Sequence, residues 1–308
     1  MILCCGEALI DMIPAPTEAG AVGFVPHCGG AVYNTAIALG RLGAQTGMLT
    51  GLSSDMFGQQ LADGLKASHV DVRPVITADR PTTLAFVRLV GGHATYEFYD
   101  ENSAGRMLEP DDMPQLSGEV TTLYFGGISL ACEPAADAYA ALLQRNRAGR
   151  SVMLDPNIRP GFVRNIERYR TRLARMIGLS DIVKVSDEDL NWITPEPMSL
   201  RDKVSQLLTA GPSVVILTRG GDGATGYLKG GDEVHVPARK AEIVDTVGAG
   251  DTFNAGVLAK LSELGALTQQ SLANLGPDAL EAALEHGARV ASITVSRAGA
   301  NPPWAEEI

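Results

Sequence analysis

The run Asp245-Thr246-Val247-Gly248-Ala249-Gly250-Asp251-Thr252-Phe253-Asn254-Ala255-Gly256 sets two acids on either side of a segment with almost no side chains. It follows an extended stretch, Glu242 to Val244, and leads into an amphipathic pattern, so it reads as strand, turn and helix start. Gly248, Ala249 and Gly250 let a ligand come close to the main chain. The N–H groups of a helix's first turn have no intrahelical partner and carry partial positive charge. That arrangement suits phosphate. A carboxylate at Asp251 would repel phosphate bound alone, but it has a role if a hydroxyl lies between them. The hydroxyl then gives its proton to Asp251 while its oxygen attacks phosphorus. The same helix terminus is expected to favour the ionised form of Asp251. On these residues alone a second reading stays open, with Asp251 as a helix cap and the glycines as a tight turn.

A turn of this kind needs strands and helices to hold it. Short apolar runs at Ile2 to Cys5, Thr46 to Leu52, Thr122 to Phe125, Val152 to Asp155, Ile182 to Val185 and Val214 to Thr218 alternate with longer helical patterns. The class is α/β, a doubly wound and mostly parallel sheet with helices on both faces. Val32, Thr35, Ala36, Leu39 and Leu42 form one helical stripe, and Phe253, Val257, Leu261 and Leu264 another, each expected to face a sheet. Two stretches break the rhythm. Residues 11–30 are rich in Pro and Gly, and Thr82 to Tyr99 alternates like a hairpin around Gly91-Gly92. Paired in space, they would form a small β lid from residues 11–30 and 75–102, hinged on a body of residues 1–10, 31–74 and 103–308.

Composition narrows the partners. The 308 residues are 45% hydrophobic, enough to bury a large core, and 25 Lys+Arg against 36 Asp+Glu give a net charge of -11. That balance, with no Lys/Arg run, disfavours nucleic acid and anionic membranes. Neither a membrane-length apolar stretch nor a basic signal start is present, so a cytoplasmic protein is expected. Cys4, Cys5, Cys28 and Cys132 are spaced for neither a disulfide framework nor a zinc site, and are expected to be buried thiols. No Gly-Lys-Ser/Thr follows the glycines as a P-loop requires. Nor does Gly6-Glu7-Ala8 provide the dinucleotide fingerprint of an NAD-linked sugar dehydrogenase.

The sequence resembles the ribokinase-like (PfkB-type) carbohydrate kinases. Two distant motifs carry the resemblance: Gly29-Gly30-Ala31-Val32-Tyr33-Asn34-Thr35-Ala36 leading to Arg41-Leu42-Gly43, and Asp245 to Asp251. It extends through Gly6-Glu7-Ala8-Leu9-Ile10-Asp11, Asp155-Pro156-Asn157-Ile158-Arg159-Pro160 and Thr218-Arg219-Gly220-Gly221-Asp222-Gly223. The resemblance implies transfer of the ATP γ-phosphoryl group to a sugar or nucleoside hydroxyl. Asp251 would be the general base, and Gly248, Ala249, Gly250 and Asp251 would supply the anion hole. Asp11, Gly29, Gly30, Asn34, Phe98 and Arg159 would meet the sugar. Lys184, Ser186, Thr218, Gly220, Gly223, Gly248, Gly250 and Gly287 would lie along the nucleotide. Mg2+ would come with ATP, with Asp189 as a water-mediated contact, and K+ near Asp245 as an activator. A regulator that keeps the fold without the chemistry is the non-enzyme alternative; it would be expected to have lost the base, which is present.

Within the family, the Asp155 to Pro160 run, Phe98-Tyr99 with Ser103-Ala104, and the Asp181 to Leu190 run look most like bacterial fructokinases. The neighbouring branch, 2-keto-3-deoxygluconate kinase, tends to follow its lid aromatic pair with an Arg. Here the position is Asp100, whose charge is expected to repel a sugar acid. Arg159 supports the alternative, since it could pair with a sugar carboxylate, contact phosphate or pair with a local Asp. Two positions depart from the family. Ser186 and Asp189 stand where Asn-x-x-Glu is common, and Gly287 stands where many relatives show Asn by the adenine. The uncovered edges of the lid point to a homodimer through it.

Overall fold

The computed structural model describes residues 1–90 and 93–308. The turn expected at Gly91-Gly92 lies outside the described residues. An 8-stranded sheet forms the body, in spatial order Glu233–Val236, Ala224–Leu228, Val214–Thr218, Ile182–Ser186, Ser151–Asp155, Thr122–Gly126, Ile2–Cys5 and Thr46–Leu49. The pairings from Val214–Thr218 to Thr46–Leu49 are parallel, and the two strands at the other edge run antiparallel. Alternate residues feed two cores, as a sheet covered on both faces demands. Ile2, Cys4, Tyr124, Met153 and Ile216 face one core, and Leu3, Cys5, Phe125, Leu154 and Leu217 the other. All four cysteines are free, Cys28 being half-buried and the others buried. No helix among the described residues is long and apolar enough to cross a membrane.

Two details depart from the sequence expectation. The apolar run from Thr46 splits, because Gly51–Ser53 turns away to pair with Ile76–Ala78. Gly51 permits this, since a Cβ there would lie 2.2 Å from the Ala104 carbonyl oxygen. The strand Ile76–Ala78 therefore pairs with body residues, although it falls in the segment expected for the lid. The helix Ala249–Glu263, moreover, packs mainly against the helices Ala31–Arg41 and Pro277–Val295 rather than laying one stripe on the sheet. It is buried on nearly all sides, and Leu264 lies past its end and is exposed.

The small sheet has 4 strands in the order Val22–Gly29, Leu9–Pro16, Leu84–Val90, His93–Tyr99. The two sequence-distant segments meet where Leu9–Pro16 pairs in parallel with Leu84–Val90. Register separates its faces. Asp11 lies opposite Ala85, and Ala85 opposite Phe98, so Asp11, Phe98 and Tyr96 share one face. Met12, Phe86 and Tyr99 occupy the other, where Phe86 sits edge-on to both Phe24 and Tyr99.

Candidate active site

The parallel strands end on one side of the body, and the predicted residues gather there, as expected for open α/β sheets. The helix carrying Asp251 starts at Ala249, with Gly248 as its N-cap in the left-handed region (φ 77°) and no side chain capping it. The Ala249 N–H turns back to the Thr246 carbonyl at 3.3 Å. The N–H groups of Gly250 and Asp251 fall in the first turn, where no intrahelical acceptor exists. A Cβ on Gly248 would sit 2.6 Å from that of Ala300, and one on Gly250 would sit 3.3 Å from Lys184 Nζ. The glycines thus make room for the C-terminal segment and a buried ammonium as well as for a ligand.

Asp251 is buried, 8% exposed, and accepts a hydrogen bond from Asn34 Nδ2 at 2.9 Å. Burial raises its pKa to about 7; Asp155 and Glu7 push the same way, while Asn34 and Lys184 pull down. This corrects the sequence expectation: desolvation outweighs the helix terminus. Thr35 Oγ1 holds the Asp251 carbonyl at 3.1 Å, so one helix grips Asp251 by side chain and main chain.

Beneath the cradle, Lys184 Nζ pairs with Asp155 Oδ2 at 3.1 Å, and Asn254 Nδ2 donates to the same oxygen at 2.7 Å and to the Tyr124 hydroxyl at 3.0 Å. Lys184 stands on the strand face that also carries Asp155, because the period of 2 in two adjacent parallel strands brings both under the Asp251 helix. Asp155, Asn254 and Tyr124 were not singled out from sequence as site residues, since nothing local shows that strands and a helix so far apart converge.

The small sheet carries Asp11, Gly29 and Phe98, three of the residues expected to meet the sugar. Asp11 is largely buried, and that burial raises its pKa to about 6. Its carboxylate fills the space a side chain on Gly29 would take, since a Cβ there would lie 2.1 Å from Oδ2. Gly30 has φ 106°, a value that L side chains rarely adopt. Phe98 reaches across to Phe162 of the body, with ring centroids 4.4 Å apart. Arg159 is exposed and bonds only to the Ile158 carbonyl among the described residues. Tyr96, also not singled out from sequence, is raised in pKa by burial and then by Asp11 and Asp245, with Arg159 opposing. The signal for Tyr96 was the strand period, which pairs Tyr96 rather than Tyr99 with Phe98.

Other predicted residues have structural work. Ser186 and Asp189 form a capping box: Ser186 Oγ donates to Asp189 Oδ2 at 2.8 Å, and Asp189 N–H donates back at 3.0 Å. Asp189 Oδ1 accepts the Ile158 N–H at 2.8 Å, so both oxygens are engaged. Gly287 is a helix-crossing glycine, for a Cβ there would meet Val257 and Phe253 at 2.9 and 3.0 Å, and its Cα would lie 2.8 Å from a Cβ on Gly256. Packing explains Gly287 without the nucleotide. Gly223 leaves no room for a side chain, with the Val236 carbonyl 2.2 Å from a would-be Cβ, while Gly220 is open. Thr218 contacts the Val185 carbonyl at 3.4 Å. Asp245 accepts the N–H groups of Val247 at 3.0 Å and Gly299 at 2.9 Å.

Asp100 requires a correction. It is buried at 6% exposure and ion-paired with Arg106, so its charge is matched inside the protein and does not face a substrate. Asp100 therefore gives no reason to favour a neutral sugar.

A buried carboxyl held against an uncapped helix start, beside a small sheet, can be compared with known proteins. The sequence profile of the pfkB family carbohydrate kinases matches residues 1–307. The chain belongs to that family. A fructokinase of Rhizobium leguminosarum bv. trifolii is 50% identical over 281 residues, which is 91% of this chain and 85% of that relative. A fructokinase structure from Xylella fastidiosa with bound ATP superposes with a TM-score of 0.89 at 27% identity, covering 97% of this chain and 93% of that one. An aminoimidazole riboside kinase from Salmonella enterica, solved with its riboside and an ATP analogue, gives 0.82 at 26%, covering 99% and 97%. As a pfkB kinase, the protein transfers a phosphoryl group to a sugar hydroxyl.

Proposed function

We propose that this kinase phosphorylates D-fructose from MgATP, with Asp251 as general base. The observation that carries the chemistry is the buried Asp251 carboxyl beside the uncapped first turn of its own helix. A hydroxyl seated between them gives its proton to Asp251 late, once the loose phosphoryl transition state has built charge on the attacking oxygen. A carboxyl with its pKa near 7 is a better acceptor for that proton than an ordinary one. The N–H groups of Gly250 and Asp251 face the developing charge, with the Lys184 ammonium adding to it from below.

Fructose is favoured by the 50% identical relative. Asp11, Gly29, Gly30 and Asn34 hold its hydroxyls, and Phe98 against Phe162 closes the small sheet as a lid that keeps water from the phosphate. Lys184, Thr218, Gly220 and the 248–251 turn lie along the nucleotide. Mg2+ arrives on ATP: among the described residues no cluster of His, Cys, Asp and Glu could hold a metal. Asp245 is different, since its carboxylate accepts two backbone N–H groups and has no basic partner among the described residues, which leaves its negative charge for a monovalent cation. K+ there would add positive charge near the cradle. The exposed Phe24 (41%) and Tyr99 (53%) on the outer lid face support a homodimer through the lid, in the cytoplasm.

Arg159 and the riboside kinase likeness keep 2-keto-3-deoxygluconate and nucleosides as the second reading. A coupled ADP-release assay across fructose, ribose, adenosine and 2-keto-3-deoxygluconate decides. Fructose is expected to give the highest kcat/KM, and a higher value for any of the others overturns this assignment.

A further inference from the structure

Glu7 is a half-buried carboxylate that takes no direct part in the chemistry above. It stands where the two chain crossings between the sheets meet: one joins Ile2–Cys5 to Leu9–Pro16, and the other joins Val22–Gly29 to the helix Ala31–Arg41 through Gly30. That helix has no cap of its own. Its N-cap residue is Gly30, without a side-chain hydrogen bond, and its first turn holds no acid. Glu7 supplies both. Oε1 accepts the Ala31 N–H at 3.1 Å, Oε2 accepts the Ser129 N–H at 3.2 Å, and the Glu7 carbonyl accepts the Tyr33 N–H at 3.2 Å. An anionic acceptor here satisfies an orphan donor and is favoured by the helix dipole. The surroundings are cut to fit it, since a Cβ on Gly127 would lie 2.0 Å from Oε1 and one on Gly30 would lie 3.0 Å from the Glu7 carbonyl oxygen.

Asn34 sits one turn into that helix and holds the Asp251 carboxylate at 2.9 Å. We propose that Glu7 is a positioning residue for phosphoryl transfer, its carboxylate pinning the start of the Asn34 helix and the root of the small sheet to the Gly127–Leu130 turn. Asn34 then presents Asp251 to the substrate hydroxyl in one orientation. This inference rests on Asp251 being the base.

The test uses the full-length chain, fructose and MgATP in a coupled ADP-release assay. Glu7→Gln removes the charge, and Glu7→Asp keeps it but is one methylene shorter, so the carboxylate is pulled back from the Ala31 and Ser129 N–H groups. Each is expected to lower kcat tenfold or more, with the KM for ATP changed less than twofold. Glu7→Gln added to Asn34→Ala is expected to cost less than a further twofold, because both act through one contact. A pH profile separates positioning from folding. Asp251 faces Asn34, Asp155, Lys184, Tyr124 and Glu7, so losing the Glu7 charge moves the acid limb of kcat/KM to lower pH, whereas Glu7→Asp, which keeps the charge, leaves it. Turnover within twofold of wild type in either variant, or losses that multiply in the double variant, would overturn the proposal. Should Glu7→Gln fail to fold, Glu7→Asp decides alone. Near-normal turnover in Asp251→Asn would instead sink the base assignment itself.

Discussion

Asp251→Asn keeps the size of the buried carboxyl and an oxygen for Asn34, but removes its charge and its affinity for a proton. Two effects of opposite sign follow. Turnover is expected to drop by roughly 10² to 10⁴, the range for removing a general base. Stability is expected to rise, and its pH dependence is the sharper test. The folded pKa is about 7 and the ordinary value 3.8, so the folded protein holds this proton more tightly than the unfolded chain does. Below the ordinary value both states are protonated and the group contributes nothing. Between the two values stability falls as pH rises, and above the folded value the full penalty remains. About 3 pKa units at 1.36 kcal/mol each give about 4 kcal/mol. Relaxation of the site trims this, so the variant should match wild type near pH 4 and exceed it by about 2 to 4 kcal/mol near pH 8. Urea unfolding of both proteins across that range, with the ADP-release assay alongside, reads both effects; other titrating groups cancel in the difference. A constant stability gap across pH would refute the raised pKa. Undiminished turnover would refute the base.

Gly29→Ala places a Cβ where the Asp11 carboxylate now lies, so the KM for fructose should rise at least tenfold while the KM for ATP stays within twofold. Steady-state kinetics with each substrate varied checks this. Gly287→Ala wedges the helix crossing against Phe253 and Val257 and should destabilise the fold by about 1 to 3 kcal/mol, measured by urea unfolding. Its KM for ATP should hardly change; a large rise there would restore a nucleotide role. Asp100→Asn leaves Arg106 without its buried counter-charge and should cost about 3 to 5 kcal/mol, with the ratio of fructose to 2-keto-3-deoxygluconate activity unchanged. Replacing potassium by choline salts is expected to lower kcat several-fold; equal rates would remove the cation assigned near Asp245.

What could be read from the chain alone was whatever local pattern controls. The short unbroken apolar runs and the period of 3.6 in the helical stripes placed the body strands and the helix beginning at Ala31, and the side-chain-poor turn at Gly248 to Gly250 marked an exposed helix start. Those features depend on neighbours a few residues away, so composition and spacing report them. Tertiary structure decided which charges remain available for chemistry. Asp100 and Asp189 looked like acids free to act, but Arg106 absorbs the first and a capping box with the Ile158 N–H absorbs the second. Gly287 looked like a gap for adenine but is the contact between two helices. Glu7 caps a helix 24 residues away, and Asp251 takes its hydrogen bond from Asn34, 217 residues distant. Burial, which lifts the Asp251 pKa, likewise belongs to the assembled core and to no segment of it. Electrostatics and packing depend on distance in space, and only the folded chain sets that distance.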